Sequence, residues 1–264
     1  MHLARLPASV YRALIRREVV TTFHNRFVQI FAVVAWAGSI AVAALSGRPE
    51  AVPYGLLLLF LYLVPLFGLL VGVSAAHEER DERAFLWSQP VPRAAFVLGK
   101  AVRLIVALAA VLLGALVAGA VVGASAGTLA LLWGLGTGLV LVSVSAGLAA
   151  GQYTTSRARG LMVVLVVWVV VFALYDAAAL GLSGLGAMQA VPAFWVGLLL
   201  LNPIDAVRLA GLFALEDVPF SAPGDAAWMG DLMAGLPAWV AVLTAVWTGG
   251  LLLLACRRLR RLDL

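Results

Sequence analysis

The chain has 264 residues, 64% of them hydrophobic and 12% charged, with a mean hydropathy of +1.05. Soluble domains carry about a quarter charged residues, so this composition excludes an ordinary soluble fold and points to a polytopic membrane protein. The net charge of +5 does not imply nucleic acid, because the basic residues flank apolar runs; the single cysteine, Cys256, excludes an internal disulfide and a Cys-based zinc site.

Met1–Arg26 carries five arginines but no separate apolar core with a cleavage site, so no cleavable signal is expected. Within it, residues 8–25 read as an amphipathic surface helix, with Tyr11, Ile15, Val19 and Phe23 recurring every four residues. Such a helix serves either as a lipid anchor or as a lever toward a partner. The apolar runs 27–45 and 54–76 follow as the first two spans. Between Leu104 and Ser156 lie 53 residues without a charge, enough for two crossings of about 20 each, at 104–123 and 128–153. Residues 123–127 (GASAG) supply the turn. A fifth span is predicted at 161–182, interrupted only by Asp176, and a sixth at 236–256. The expectation is an all-α, single-domain membrane protein with six transmembrane helices.

Charge sets the orientation. With the N-terminus inside, sixteen of the eighteen Lys and Arg fall on cytoplasmic segments, and only Arg48 and Arg208 fall outside. Both termini are then expected in the cytoplasm. Val191–Leu201 is apolar but 11 residues long, too short for a core of roughly 30 Å. It is read as a short helix or re-entrant piece of an outer excursion spanning 183–235. Just after it, Asn202 suits an N-cap, Pro203 the first helical position and Asp205 the first turn, with Arg208 placed to pair with Asp205. The excursion is acidic, and Trp195 and Trp228 are of the type that favours an interface.

The longest cytoplasmic segment, 77–100, opens with Glu78, Glu79, Arg80, Asp81, Glu82 and Arg83, then sets Phe85, Leu86 and Trp87 before the breakers Pro90 and Pro92 and the charge of Arg93. Apolar side chains rimmed by charge mark either a docking surface or an interfacial helix with its aromatics in lipid. His77-Glu78 lacks the second histidine of a zinc protease, and neither a nucleophile elbow nor a phosphate loop occurs, so no catalytic residues are assigned and no enzymatic activity of its own is expected. Asp176 is either a functional intramembrane acid or a group reaching the outer interface. The stripes Gly119/Gly123, Gly134/Gly136/Gly138 and Gly147/Gly151 are read as close helix packing, and Met229 with Met233 as packing rather than a soft-metal face.

Six spans, a surface N-terminal helix and a loop reading Glu79…Pro90-Val91-Pro92-Arg93…Leu98-Gly99-Lys100 resemble the ABC-2 type transporter permeases. Within that group, Leu199-Leu200-Leu201-Asn202-Pro203 followed by Asp205 and Arg208-Leu209, together with Tyr175-Asp176, is similar to the permeases of nitrous oxide reductase maturation systems, the NosY type. One departure is Asp81-Glu82, where the family often has Gly-Thr. The resemblance implies a homodimer clamped by two copies of a cytoplasmic ABC ATPase. The loop between spans two and three, from Glu79 to Trp87 with Pro90 and Arg93, would be the coupling helix, with Arg157 and Arg159 as a smaller contact. It further implies ATP and magnesium on the ATPase, no cofactor on this chain, and an extracytoplasmic copper-handling partner docked through Asn202, Pro203, Asp205 and Arg208. The remaining contacts would be with lipid and none with nucleic acid. A general exporter of a lipid, glycan or drug shares every cytoplasmic feature and differs only at the excursion; a non-energised scaffold is the third reading.

Overall fold

The computed structural model describes residues 25–81, 93–175, 177–178, 192–216 and 235–261, and all regular structure among them is helical. Asn25 starts the first helix, its side chain accepting from the Phe27 N–H at 2.9 Å. In chain order the helices are α1 (Arg26–Leu45), α2 (Val52–Asp81), α3 (Arg93–Ala115), α4 (Val117–Val121), α5 (Ala126–Tyr153), α6 (Arg157–Val169), α7 (Pro192–Leu201), α8 (Pro203–Glu216) and α9 (Leu236–Arg261). The predicted N-terminal surface helix, the middle of the charged loop from Glu82 to Pro92, Asp176, Met229 and Met233 lie outside the described residues.

Five helical stretches are long and apolar enough to cross a membrane: 26–45, 49–78, 96–121, 126–153 and 236–259. They coincide with five of the predicted spans. The third is interrupted at Leu116, where α3 passes into α4, and Gly123, with φ of +96°, makes the turn before Ser125 caps α5 by accepting from the Thr128 N–H at 3.1 Å.

The segment predicted as the fifth span departs from a uniform helix. α6 covers 13 residues and then passes into a π turn, Val170–Leu174. Its sequence, Leu161–Phe172, is mostly valine, which in water favours strands. In hydrocarbon each unpaired backbone group costs several kcal/mol, so even this run stays helical rather than leaving its backbone unpaired. Met162 and Val166 point outward, 68% and 61% exposed, as lipid-facing residues do.

α2 and α5 form the centre, with α9, α3, α6 and α8 packed around them and α1 lying against α2 and α3. The central crossing is close because small residues meet there, Gly72 against Gly147 and Ala76 against Gly151. A Cβ on Gly72 would lie 2.6 Å from the Val144 carbonyl oxygen and 2.9 Å from the Gly147 Cα, and one on Gly151 would lie 2.5 Å from the Ala76 Cβ. The Gly147/Gly151 stripe therefore does pack, as does Gly136 against Leu112, but Gly134 faces open space. Two buried serines on α5 are satisfied within the helix, Ser143 donating to the Leu139 carbonyl at 2.6 Å and Ser145 to the Leu141 carbonyl at 2.7 Å.

Candidate functional site

Two groups of polar side chains stand out, one at each end of the bundle. At the basic end, α2 is longer than a bilayer requires: 30 residues at about 1.5 Å each exceed a hydrocarbon core of about 30 Å. Its final turns, His77 to Asp81, carry the start of the charged loop, and Arg93 opens α3 on the other side of it. The neighbouring helices are tied to this end by cations. Lys100 Nζ on α3 donates to the Ala75 carbonyl at 2.7 Å. Arg157 Nη2 donates to Ser74 Oγ at 3.3 Å while its guanidinium lies 5.7 Å from the Phe27 ring centroid. His77, buried on α2, meets Thr154 Oγ1 through Nε2 at 3.2 Å, and Arg258 on α9 stacks 5.4 Å from the Tyr153 ring.

Of the two arginines expected to meet a partner, Arg157 thus also braces α1 against α2. Arg159 is exposed and bonds within its own turn, to Thr155 Oγ1 at 3.2 Å. Gly160 allows the contact, since a Cβ there would lie 2.7 Å from Val73 Cγ1 and 3.1 Å from His77 Nε2. No site role was assigned to His77, Lys100 or Gly160 from sequence, because their partners lie across helices.

At the far end, the corner between α7 and α8 is sunk among the spans. Helix α7 ends with four carbonyls that lack intrahelical donors, and all four are served. Tyr175 Oη donates to Leu198, the Asn202 N–H to Leu199 at 3.3 Å, Trp239 Nε1 to Leu200 at 3.0 Å and Trp247 Nε1 to Leu201 at 3.3 Å. Donors on α9 and beside the π turn thus hold the corner where Pro203, having no N–H, leaves a gap.

Asn202 is the hub. Its Oδ1 accepts from the Ile204 N–H at 3.1 Å, the expected N-cap; its Nδ2 donates to Asp205 Oδ2 at 2.6 Å and to the Val171 carbonyl in the π turn at 3.0 Å. Asp205 Oδ1 pairs with Arg208 Nη1 at 3.0 Å. The cap and the pair match expectation. Asn202 and Asp205, however, are buried, so the surface offered to a partner here consists of Pro203, Arg208 and the exposed end of α8 around Ala214 and Glu216. Val171 lies 14 residues beyond Arg157, about 21 Å along α6. The corner therefore lies about that far along the bundle from the Arg157 end. Among the described residues, no three His, Cys, Asp or Glu side chains group as a metal site requires.

A bundle of long apolar helices with a cation-braced end and a sunken helical corner defines a multi-pass membrane protein. The chain matches the ABC-2 family transporter protein model over residues 8–264, and it belongs to that family. Membership implies association with an ABC ATPase. No curated protein matches the chain at a significant level.

Proposed function

We propose that the chain is the six-span permease subunit of an ABC transporter, working as a homodimer with a separate cytoplasmic ATPase dimer. It has no catalytic or cofactor role of its own; ATP and magnesium sit on the partner. The basic end lies in the cytoplasm of a bacterial inner membrane and the α7–α8 corner near the outer face, as the arginine distribution favours. The observation that carries this reading is the continuity of α2. At one end Leu57 packs so closely on Gly211 of α8 that a Cβ there would lie 2.6 Å from Leu57 Cδ2; twenty residues on, His77 bonds Thr154. One helix thus joins the charged loop to the corner over about 30 Å. A stroke delivered at Glu79–Trp87, Pro90 and Arg93, with Arg157 and Arg159 as a second contact, moves the far end.

The particular role proposed is the NosY-type one: support for an extracytoplasmic copper-handling partner in nitrous oxide reductase maturation. Its support is the Asn202-Pro203…Asp205…Arg208 pattern, whose residues cooperate in seating α8. Co-purification of the tagged chain with an ABC ATPase tests the general reading. Trp87→Ala and Arg93→Ala should then leave membrane insertion intact and abolish stimulation of the ATPase by the outer partner; full coupling in both variants would overturn the assignment of this loop. An apolar groove of about 490 Å³ between α1 and α3–α4, lined by Trp36, Ile40, Gly114 and Val117, favours a second reading as an exporter of lipid. ATPase activity stimulated by lipid, without a copper-binding partner, would select it.

A further inference from the structure

We infer that Asn202 is a latch that reads the hydrogen-bond register of α6, and that exchange between two registers is how the α7–α8 corner is held and released. In an α-helix the Val171 carbonyl would accept from the N–H four residues on, that of Tyr175. Here the Tyr175 N–H bonds the Val170 carbonyl, five residues back, and the Val171 carbonyl takes the Asn202 amide instead. The π register thus turns toward Asn202 an acceptor that an α register would turn along the helix axis. The same amide holds Asp205, and through it Arg208, while the other end of the side chain caps α8. One side chain therefore fixes the start of α8 to a particular register of a neighbouring span.

The geometry makes the two registers mutually exclusive in their consequences. When α6 slides by one residue into regular α geometry, the Tyr175 N–H reclaims Val171 and the Asn202 amide loses that acceptor. Tyr175 moves with it, and its hydroxyl leaves the Leu198 carbonyl. Two of the ties to the corner then break together, while the indoles of Trp239 and Trp247 keep theirs to Leu200 and Leu201. The corner swings on α9 rather than detaching. Single-turn π segments are frequent at functional sites, where they store a one-residue shift of this kind. This inference deepens the permease reading and rests on it only for what drives the slide: α6 begins at Arg157 and Arg159, on the end assigned to the ATPase.

The test uses the full-length chain in lipid nanodiscs, in a Cys256→Ala background, with spin labels at Val166 on α6 and Ala214 on α8, both exposed. With the labelled chain diluted in unlabelled chain, so that only distances within one protomer are read, the parent should give one narrow distance distribution. Asn202→Ser keeps a capping oxygen but has no donor that reaches Val171, and Asn202→Asp keeps the cap while replacing the amide with a second carboxylate beside Asp205. Both should broaden or shift the distribution, whereas a narrow, unshifted distribution in either variant that inserts would overturn the latch, since capping alone would then account for Asn202. In the complex with the ATPase, trapping the nucleotide state with vanadate should move the parent toward the distribution that Asn202→Ser shows at rest. A bound, cycling ATPase that leaves the parent distribution unmoved would overturn the switch even if neither variant inserts. Failure of any ATPase to bind would instead count against the permease reading, and the resting distributions would still decide the latch.

Discussion

The crossing of α2 and α5 offers a sharp quantitative test of the fold, because its contacts are backbone on backbone. In Gly72→Ala the new Cβ would stand 2.6 Å from the Val144 carbonyl oxygen, 2.8 Å from the Leu148 nitrogen and 2.9 Å from the Gly147 Cα. Comfortable separations between carbon atoms are about 3.5–4.0 Å, so the helices must part by roughly 1 Å along their tightest contact. Side chains relieve such crowding by rotating; backbone atoms cannot. Overpacking costs about 1–3 kcal/mol, and this case belongs at the upper end. Replacing Gly by Ala inside a helix recovers about 1 kcal/mol of propensity, which leaves a net loss of about 2 kcal/mol. Gly250→Ala on α9 is the control, since its Cβ would meet nothing within 4 Å and only the propensity gain of up to about 1 kcal/mol remains. The two alanine variants should therefore differ by about 3 kcal/mol. Denaturant titration in mixed micelles, followed by tryptophan fluorescence, measures that gap. Equal midpoints for the two would refute the close crossing and with it the central packing described for α2.

Two further outcomes follow from the ends of the bundle. Asp205→Leu strands Arg208 beside a buried site and should destabilise by about 3 kcal/mol, whereas Asp205→Leu combined with Arg208→Met removes both charges and should cost less than the single change; additive losses in the same titration would dissolve the pair as an energetic unit. In a Cys256→Ala background, a cysteine at Glu50, in the exposed turn between α1 and α2, should react with a membrane-impermeant thiol reagent in intact cells, and one at Arg159 only after lysis; the opposite pattern would reverse the orientation.

What the sequence disclosed and what it concealed divide along a physical line. Hydropathy and charge say which segments lie in the bilayer, so the limits of α1, α5 and the start of α9 fall within two residues of the apolar runs. Local chemistry is equally legible: Asn202 capping Ile204 and Asp205 meeting Arg208 are contacts two and three residues apart, fixed once a helix starts at Pro203. The fifth span is where hydropathy falls short. A run of valines is equally apolar in α or π register, so nothing in its composition announces that Val170–Leu174 bonds five residues apart.

Which faces meet is a separate question, and in lipid it has no hydrophobic answer, because a leucine gains nothing by leaving acyl chains for another leucine. The meeting faces are instead specified by residues that let backbones approach or that seek carbonyls. Gly147 and Gly151 were legible as a stripe, yet their counterparts Gly72 and Ala76 were lost in the uniform grease of α2, and Gly134 belongs to a stripe although a Cβ there would meet nothing within 4 Å. Trp239 and Trp247 look like ordinary interfacial tryptophans until the carbonyls of Leu200 and Leu201, about forty residues earlier, are seen to need donors. The end of a short helix is therefore the better guide: a ten-residue helix ended by Asn-Pro and packed against long apolar helices must recruit donors from its neighbours, and the helices that supply them are the ones able to move it.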